Sequence, residues 1–347
     1  MLAVMSYLKN KSILVTGAAG TIGSELIAQL LSMDDGPSKV MGLDNNESQV
    51  FFLDQRYGHL DNVNFFLGDV RNYDELAHHF IDVDIVFHTA ALKHVILCEH
   101  APEQAVLSNV IGTQNVIKAA NAHNVERVLF TSSDKAVNPT NVMGTSKLLG
   151  ERLMTAANAS SNRTLFSSTR FGNVLGSNGS VLPIFVNQIQ NAGPVTVTDK
   201  NMTRFIMSIS EAVGLVIKSG EIMCGGEVFI TKMPVLGIDG LADVMIENLS
   251  QQFGHNPADI EKIYIGAKPG EKLYEELMSE EEIRRAWELD SYFVILPALQ
   301  INEGYSVFDY EGIVSKSVSK PYNSSIEPEM SKSEVLSVLT SNQLLNS

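Results

Sequence analysis

The sequence has 347 residues, a formal net charge of −15 and 44% hydrophobic residues, which suits one large domain or two moderate ones. The acidic balance, without a lysine- or arginine-rich stripe, argues against a nucleic-acid partner. No apolar run reaches the ~18–20 residues that cross a bilayer, and the two cysteines have no metal or redox spacing. We therefore expect a soluble, cytoplasmic protein with no membrane insertion and no metal site.

Short apolar runs alternate with helical patterns through the first half of the chain. In chain order, the runs are SILVTG, KVMGLD, VNFFLGD, DIVFHTAA and RVLFTSS. Near-continuous apolar strands that alternate with helices are typical of a parallel sheet covered on both faces. Right-handed crossovers then predict an α/β fold with a doubly wound, Rossmann-like parallel sheet.

After Arg170 the alternation gives way to shorter elements. The stretch FGNVLGSNGSVLP is a polar, glycine-rich loop, and helices are predicted near 181–191 and 211–219. A capping box from Ser331 to Glu334 predicts a last helix. We place the sheet domain at 1–170. The range 171–347 should form mainly a smaller C-terminal substrate-binding lobe and a tail, with some segments returning to the sheet.

The first strand is followed by a glycine-rich loop, VTGAAGTIGSE. Gly17, Gly20 and Gly23 have the spacing G-x-x-G-x-x-G, and Thr21 and Ile22 lie between the last two glycines. Small residues at a helix N-terminus let the backbone approach a pyrophosphate, and the unpaired N–H groups there attract its charge. The loop therefore predicts a dinucleotide site.

The following strand ends should complete that site. Asp44 closes the second strand without a neighbouring arginine, which favours ribose recognition in NAD over NADP, although a solvated turn acid is the other interpretation. Asp69, followed by Val70, either reaches the adenine edge or caps its strand. Ala90 and Ala91 follow the fourth strand, where we also expect cofactor contacts.

The stretch TSSDKAVNPTNVMGTSK follows the fifth strand and carries the candidate chemistry. Asp134 and Lys135 place an acid and a base side by side, after Ser133 and before the helix with Met143 and Lys147. An ion pair in a surface turn is the usual meaning of such a pair. At a strand end, however, it faces the crevice where an open α/β sheet binds ligands, which favours general acid–base chemistry.

Several motifs together identify a family resemblance. The glycine loop, FHTAALKHV, TSSDKAVNPTNVMGTSK, RFGNVLGSNGSVLP, MTRFIMS and KPGEKLYEEL occur in the order typical of the extended short-chain dehydrogenase/reductases. The chain most resembles the soluble UDP-N-acetylglucosamine 4,6-dehydratases of polysaccharide biosynthesis, from about Ser12 to Leu277. The resemblance implies an NAD(P)-binding domain at 1–170, a nucleotide-sugar lobe after it, and a homo-oligomer.

The resemblance also implies roles in a 4,6-dehydratase reaction. Asp134 would protonate the leaving 6-hydroxyl, and Lys135 would remove the C5 proton. For that role the pKa of Lys135 should fall, through burial beside Lys147 and the oxidised nicotinamide. Lys147 would hold the nicotinamide ribose, and Ser133 would hydrogen-bond the sugar 4-oxygen. The cofactor, NAD rather than NADP, would stay tightly bound and be regenerated in each cycle.

Met143 departs from the Tyr-x-x-x-Lys pattern of the wider superfamily, although some dehydratase branches resemble it here. The departure leaves open which group deprotonates the 4-hydroxyl: Asp134 acting twice, or a water held by Lys147 and Ser133. Two alternatives to a dehydratase follow. A 4-epimerase or ketoreductase relies on the missing tyrosine, and a non-catalytic NAD-sensing protein would not need Asp134, Lys135 and Lys147.

Four further residues match substrate-binding positions in this resemblance. Arg204 and Asn173 would hold the diphosphate, with a surface salt bridge as the other interpretation of Arg204. Glu271 would contact the nucleotide ribose or serve as a charge at a helix N-terminus. Lys93 would contact the substrate or neutralise an acid. His88, in the fourth strand, is expected to be structural.

Overall fold

The computed structural model describes residues 6–176, 181–266, 270–298 and 308–345. Its centre is a ten-stranded sheet. Seven neighbouring strands of this sheet are parallel, and three more extend it in antiparallel pairings. The predicted doubly wound α/β fold is confirmed.

Seventeen strands occur in the described residues. They are β1 (Ser12–Thr16), β2 (Lys39–Asp44), β3 (Val63–Leu67), β4 (Ile85–His88), β5 (Arg127–Thr131), β6 (Leu165–Arg170), β7 (Asn173–Val174), β8 (Val195–Val197), β9 (Thr203–Met207), β10 (Val228–Thr231), β11 (Val235–Gly237), β12 (Lys262–Tyr264), β13 (Glu276–Met278), β14 (Ala286–Leu289), β15 (Tyr292–Ile295), β16 (Ile313–Ser315) and β17 (Tyr322–Asn323).

Eleven α-helices occur in the same residues. They are α1 (Thr21–Leu31), α2 (Glu47–Tyr57), α3 (Tyr73–His78), α4 (Val95–His100), α5 (Pro102–Ala105), α6 (Gly112–His123), α7 (Val142–Ser160), α8 (Val181–Gln190), α9 (Ile209–Ile222), α10 (Ile238–Leu249) and α11 (Lys332–Ser341). A π-helical segment, Val106–Ile111, joins α5 to α6. The predicted capping box is present at the start of α11.

Burial on both faces explains the apolar strand sequences. Along β1, Ile13 and Val15 belong to the core cluster on one face of the sheet, whereas Leu14 belongs to the cluster on the other face. Successive side chains of a strand point to opposite faces, so a strand covered on both sides needs apolar residues throughout. The strands of the main sheet lie in the order β16-β14-β15-β10-β6-β5-β4-β1-β2-β3. This order reverses between β1 and β4, which creates the crevice where ligands bind in such sheets.

The residues after Phe171 contribute to two places. A separate core cluster, built from α8, α10, α11 and the short strands near them, forms the smaller lobe. Strands β10, β14, β15 and β16 instead join the main sheet. The later half of the chain therefore both extends the sheet and covers the carboxyl ends of its strands.

Candidate active site

A cavity of about 780 Å³ lies between the strand ends and the smaller lobe, a volume in the range of ligand sites. Its lobe side is largely apolar and includes Val181, Leu182 and Phe185. On its wall are thirteen residues that the sequence predicted: Gly20, Thr21, Ile22, Gly23, Ala91, Lys93, Ser133, Lys135, Met143, Lys147, Asn173, Arg204 and Glu271. The fold thus brings together most of the predicted site from distant segments.

The glycine loop makes a cradle at one end of this cavity. Gly17 has φ +73°, a backbone conformation that favours glycine, and an added Cβ would overlap the backbone of Ala90. Gly20 is the N-cap of α1 and has no side chain that could cap the N–H groups of the helix. The first-turn N–H groups of α1 have no capping side chain, so the loop fits a phosphate-bearing dinucleotide.

The other predicted cofactor residues lie behind or beside this cradle. Asp44 accepts hydrogen bonds from the main-chain N–H groups of Ala19 and Asn46, both at 3.0 Å. Asp69 is bound by Arg71, whose Nε donates to its carboxylate at 2.8 Å. Val70 is buried in the core, 6% exposed. Asn46, which sequence reasoning missed, lies on the cavity wall.

The acid–base pair lies in a 3₁₀ turn, Asp134–Ala136, directly after β5. The first turn of α7 packs closely on it, because a Cβ at Gly144 would overlap the carbonyl oxygen of Lys135. Asp134 is 1% exposed and does not line the cavity. Its Oδ1 accepts from the Ser133 hydroxyl at 2.7 Å and from Lys135 Nζ at 3.0 Å. Asp134 therefore contacts the cavity through these two side chains.

Four ionisable side chains meet at this turn, and we call Asp134, Lys135, Arg204 and Glu275 the Lys135 cluster. Lys135 Nζ lies 3.2 Å from Glu275 Oε1 and 3.4 Å from Asn173 Oδ1. Arg204 Nε lies 3.7 Å from Glu275 Oε1. Asp134 Oδ2 and Glu275 Oε2 are both buried, and neither has a hydrogen-bond partner among the residues that the structure describes. Two carboxylates and two cations thus contact one another at this turn. One oxygen of each carboxylate can still accept a hydrogen bond.

The protein's own groups do not lower the pKa of Lys135. Burial alone would lower this pKa, but attraction to Asp134 and Glu275 outweighs burial and raises it above the usual lysine value. Lys147 donates to the Thr131 carbonyl at 2.9 Å, and the charged groups that contact Lys135 Nζ are acids. The predicted fall also counted the oxidised nicotinamide as a neighbouring charge, and with the cofactor bound it stays a prediction.

Lys147 and His88 are buried at the base of the same crevice. Burial lowers the pKa of Lys147 to about 8, although Glu151 opposes the shift. His88 bonds Thr16 Oγ1 at 2.7 Å and Thr113 Oγ1 at 3.1 Å. Burial and then Lys147 lower the pKa of His88 to about 3, so the ring is neutral at ordinary pH. This arrangement agrees with the structural role predicted for His88.

Met143 is 3% exposed and packs with Cys98 and Ala105 while also lining the cavity. A thioether has no proton to give and is only a weak acceptor. At this point of the wall the chain therefore supplies shape and an apolar surface. The hydroxyl predicted to serve the sugar, that of Ser133, lies on the wall of the same cavity.

Arg204 is buried rather than at the surface. Its guanidinium donates to the carbonyl oxygens of Thr203 at 2.8 Å and Lys272 at 2.9 Å, and it lies 3.8 Å from Glu271. The surface interpretation of Arg204 is therefore wrong. Glu271 precedes β13 and is not at a helix N-terminus, so that interpretation is also wrong. Lys93 is exposed at the cavity wall.

The comparison with protein families gives one clear match. A family model described as "Polysaccharide biosynthesis protein" matches residues 13–297. An uncharacterized membrane protein of Methanocaldococcus jannaschii is 50% identical over 296 residues, covering 85% of this chain and 88% of the relative. The capsular polysaccharide biosynthesis protein CapD of Staphylococcus aureus is 41% identical over 82% of this chain, which spans only 47% of CapD.

Relatives with named activities are more distant. A Campylobacter jejuni protein named as an inverting UDP-N-acetylglucosamine 4,6-dehydratase is 36% identical over 88% of this chain and 89% of the relative. A Rickettsia bellii protein named as a UDP-glucose 4-epimerase is 35% identical over 95% of each chain. Both names belong to nucleotide-sugar chemistry.

A solved structure is also closely similar. The X-ray structure of Pen from Bacillus thuringiensis superposes with a TM-score of 0.88 and 41% identity, covering 97% of this chain and 99% of that chain. In the described part of the chain, no helix has the length and apolarity needed to span a membrane. The chain belongs to the polysaccharide biosynthesis protein family, a branch of the extended short-chain dehydrogenase/reductases that contains nucleotide-sugar dehydratases and epimerases.

Proposed function

We propose that the protein is a UDP-N-acetylglucosamine 4,6-dehydratase that retains NAD and yields a UDP-4-keto-6-deoxy-N-acetylhexosamine for polysaccharide or glycan biosynthesis. The observation that carries the proposal is Lys135 on the cavity wall, bonded to buried Asp134, with a methionine where the superfamily tyrosine stands. The elimination needs a base and an acid close together. The 36% identical dehydratase of Campylobacter jejuni supports the same reaction.

Different residues of the cavity would bind the cofactor, carry out the proton transfers and hold the diphosphate. The glycine loop would hold the cofactor phosphates, with Asp44 at the ribose, and the nicotinamide would supply hydride transfer between C4 and C6. Lys135 would remove the C5 proton, while Asp134 would deliver a proton to the leaving 6-hydroxyl through the Ser133 side. Arg204 and Asn173 line the same cavity, where they would position the diphosphate.

The second candidate is a 4-epimerase, because the Rickettsia bellii relative carries that name. Epimerisation requires a group that takes and returns the 4-hydroxyl proton, and Met143 has no such proton. It also leaves C5 untouched, so the Lys135 cluster would have no substrate proton to move. A non-catalytic NAD-sensing protein likewise leaves the cluster without a purpose.

One experiment separates the three functions. The protein is incubated with UDP-N-acetylglucosamine in deuterated water and the sugar is followed by NMR. Loss of the 6-hydroxyl with deuterium at C5 is expected from the dehydratase. A 4-epimer with hydrogen at C5 would instead establish the epimerase, and an unchanged sugar with cofactor bound would favour the sensor.

Lys135→Met sharpens this test, with Lys118→Met on the exposed face of α6 as the control. The Lys135 variant should keep its cofactor, because the glycine loop and Lys147 remain, yet lose deuterium incorporation at C5. The control should incorporate deuterium like the wild type. Undiminished exchange in Lys135→Met removes this residue from the base role.

A further inference from the structure

Lys135 presents a chemical difficulty for the proposed reaction. An amine removes a proton only when it is unprotonated, yet two carboxylates hold the Lys135 ammonium, at 3.0 Å for Asp134 Oδ1 and 3.2 Å for Glu275 Oε1. These contacts favour the charged lysine. The proton on Lys135 therefore needs an acceptor within hydrogen-bond reach before the base can act.

The two carboxylates differ in what else they bind. Asp134 Oδ1 also accepts from the Ser133 hydroxyl at 2.7 Å and from the Lys135 main-chain N–H at 2.8 Å. Glu275 is 2% exposed and contacts Lys135 through Oε1, while its Oε2 has no hydrogen-bond partner within the described parts of the chain. Glu275 therefore has the less satisfied carboxylate and the site where a proton is most easily held.

The charged groups around Glu275 come from three segments. Asp134 and Lys135 face it from the turn after β5, and Arg204 faces it from β9. Glu271, in the segment before β13, lies beside Arg204 at 3.8 Å. Burial, and then repulsion from Asp134, raise the pKa of Glu275 above its usual value, while Lys135 and Arg204 oppose this shift.

A second, smaller cavity reaches the same groups. It has a volume of about 260 Å³, and both Lys135 and Glu275 line it together with Asn141 and Lys272. Since a water molecule occupies ~30 Å³ of the liquid, this cavity has room for several. Protons on Glu275 can thus exchange with water while a nucleotide sugar fills the larger cavity.

We propose that Glu275 is a positioning residue that accepts the proton which Lys135 must lose before its amine removes the C5 proton. The proposal rests on the proposed dehydratase function. One N–H bond of Lys135 Nζ breaks and one O–H bond forms on Glu275, turning an ammonium and a carboxylate into an amine and a carboxylic acid. The net charge of the cluster is unchanged. The transfer works against the attraction that raises the pKa of Lys135 and with the burial that raises the pKa of Glu275. The proton that Lys135 then takes from C5 can pass to Asp134 Oδ1, 3.0 Å from Lys135 Nζ, which supplies the acid for the leaving 6-hydroxyl.

The kinetic test compares Glu275→Gln with Glu276→Gln. Glu276 is the neighbouring residue and bonds outside the cluster, to Asn138 and Lys272. Glu275→Gln should lower kcat at neutral pH by ~100-fold, the size of a general acid–base contribution, with KM little changed. The deficit should shrink by up to about tenfold per pH unit as hydroxide replaces Glu275 as the acceptor. Glu276→Gln should keep the wild-type profile.

Rescue by the conservative variant completes this test. Glu275→Asp retains an acid and should recover part of the lost kcat. A deficit in Glu275→Gln that is equal at every pH, or that Glu275→Asp shares in full, would mean that Glu275 only supports the fold of the turn. An unaltered kcat in Glu275→Gln would overturn the proposal outright.

A measurement without substrate separates this inference from the proposed function. Acylation of Lys135 by acetic anhydride, followed by peptide mass spectrometry across pH, reports the pH at which its amine forms. This midpoint should move to lower pH in Glu275→Gln, because the variant lacks a carboxylate that stabilises the ammonium, and stay in place in Glu276→Gln. A kcat that falls although the amine forms at lower pH separates proton acceptance from this electrostatic effect, whereas a kcat that rises would refute the proposal. An unmoved midpoint in Glu275→Gln refutes the coupling. If the wild type makes no dehydrated sugar but the midpoint shifts, the function proposal fails and the Glu275–Lys135 coupling stands.

Discussion

This molecule has two ion clusters with buried carboxylates, and they differ in whether the carboxylate oxygens are all hydrogen-bonded. The Arg170 cluster consists of Arg170 at the end of β6, Glu151 on α7 and Glu282 in the 3₁₀ helix Glu282–Arg285. The five N–H donors of Arg170 make five hydrogen bonds, two to Glu151, two to Glu282 and one to the Leu277 carbonyl. Each carboxylate oxygen facing the arginine is used.

The Lys135 cluster is just as buried at its carboxylates but is incomplete. In the described residues, nothing hydrogen-bonds to Asp134 Oδ2 or Glu275 Oε2. An unsatisfied buried oxygen costs about 1–3 kcal/mol, so such groups are concentrated where they have a chemical role. The contrast separates an ion cluster that joins elements from one that can change its protonation state.

The two clusters are also coupled to the same helix. Glu151 of the Arg170 cluster lies one turn after Lys147 on α7, and the first turn of α7 packs on Lys135. The complete cluster therefore fixes the helix that carries the predicted cofactor lysine. Rigid support of this kind holds reacting groups in place, and small displacements of such groups cost large factors in rate.

The largest expected effect comes from breaking the incomplete cluster at its acid. Asp134→Asn keeps the side-chain shape but cannot donate the proton that the proposed reaction requires at the leaving 6-hydroxyl. We expect turnover to fall by ~1,000-fold or more, because the variant loses general acid catalysis and one partner of Lys135. Turnover is compared at saturating substrate and matched cofactor occupancy, with circular dichroism as the check on folding. Retained activity would place the proton transfer outside this turn.

The next effect comes from breaking the complete cluster. Arg170→Met leaves Glu151 and Glu282 buried without their partner, which should cost ~3–5 kcal/mol in the free energy of unfolding. Replacing all three members together, by Glu151→Leu, Arg170→Met and Glu282→Leu, should restore most of that loss. Urea denaturation at neutral pH measures both. A mild effect of the single variant would show that the cluster is not required for stability.

Acid should weaken the same cluster in a defined pH range. Burial alone would raise the pKa of Glu282, but Arg170 outweighs it and lowers this pKa from 4.5 to about 2. A lowered carboxyl pKa stabilises the fold above the unfolded value and loses that stabilisation as pH falls. The unfolding free energy of the wild type should therefore decline between about pH 4.5 and 2 more steeply than that of the triple variant.

Sequence reasoning located the parts of the site whose function depends on local spacing. The glycine loop, the acid–base pair and Lys147 were each found within one contiguous motif. Their places at strand ends follow from the alternation of strands and helices, because the carboxyl ends of parallel strands share one edge. The α/β fold followed from the same alternation.

Glu275 was missed because its importance arises only from tertiary contact. It lies 140 residues after Lys135 in the chain, and the segment entering β13 brings it there. The sequence itself does not distinguish Glu275 from the adjacent Glu276, and only the fold buries Glu275 while leaving Glu276 partly exposed. The raised pKa of Lys135 was missed for the same reason, because it depends on the acids that tertiary contact brings near.

A smaller effect concerns cofactor choice. Asp44→Ala should weaken NAD binding by ~10-fold and affect NADP less, because it removes an acceptor for the ribose and a charge that repels the 2′-phosphate. Asp54→Ala, on the exposed face of α2, removes the same charge elsewhere and should not alter the ratio. Titration of cofactor-free protein with NAD and with NADP measures the ratio of the two dissociation constants. Tighter binding of NADP by the wild type would contradict the assignment of Asp44.

The smallest expected effect concerns Met143, on the cavity wall. Leucine is close to methionine in volume, and such swaps in packed sites cost less than ~1.5 kcal/mol in stability. If Met143 supplies only shape and an apolar surface, Met143→Leu should keep most of the dehydratase activity.

Met143→Ala provides the matched comparison for Met143→Leu. It leaves a gap beside Cys98 and Ala105 and should raise KM or lower kcat, because the sugar loses a wall that fixes its orientation. Both variants are measured at matched cofactor occupancy beside Asp134→Asn. Met143→Leu should stay within a fewfold of the wild type, with Met143→Ala between it and Asp134→Asn. Loss in Met143→Leu as deep as in Asp134→Asn would mean that the thioether itself takes part in the chemistry.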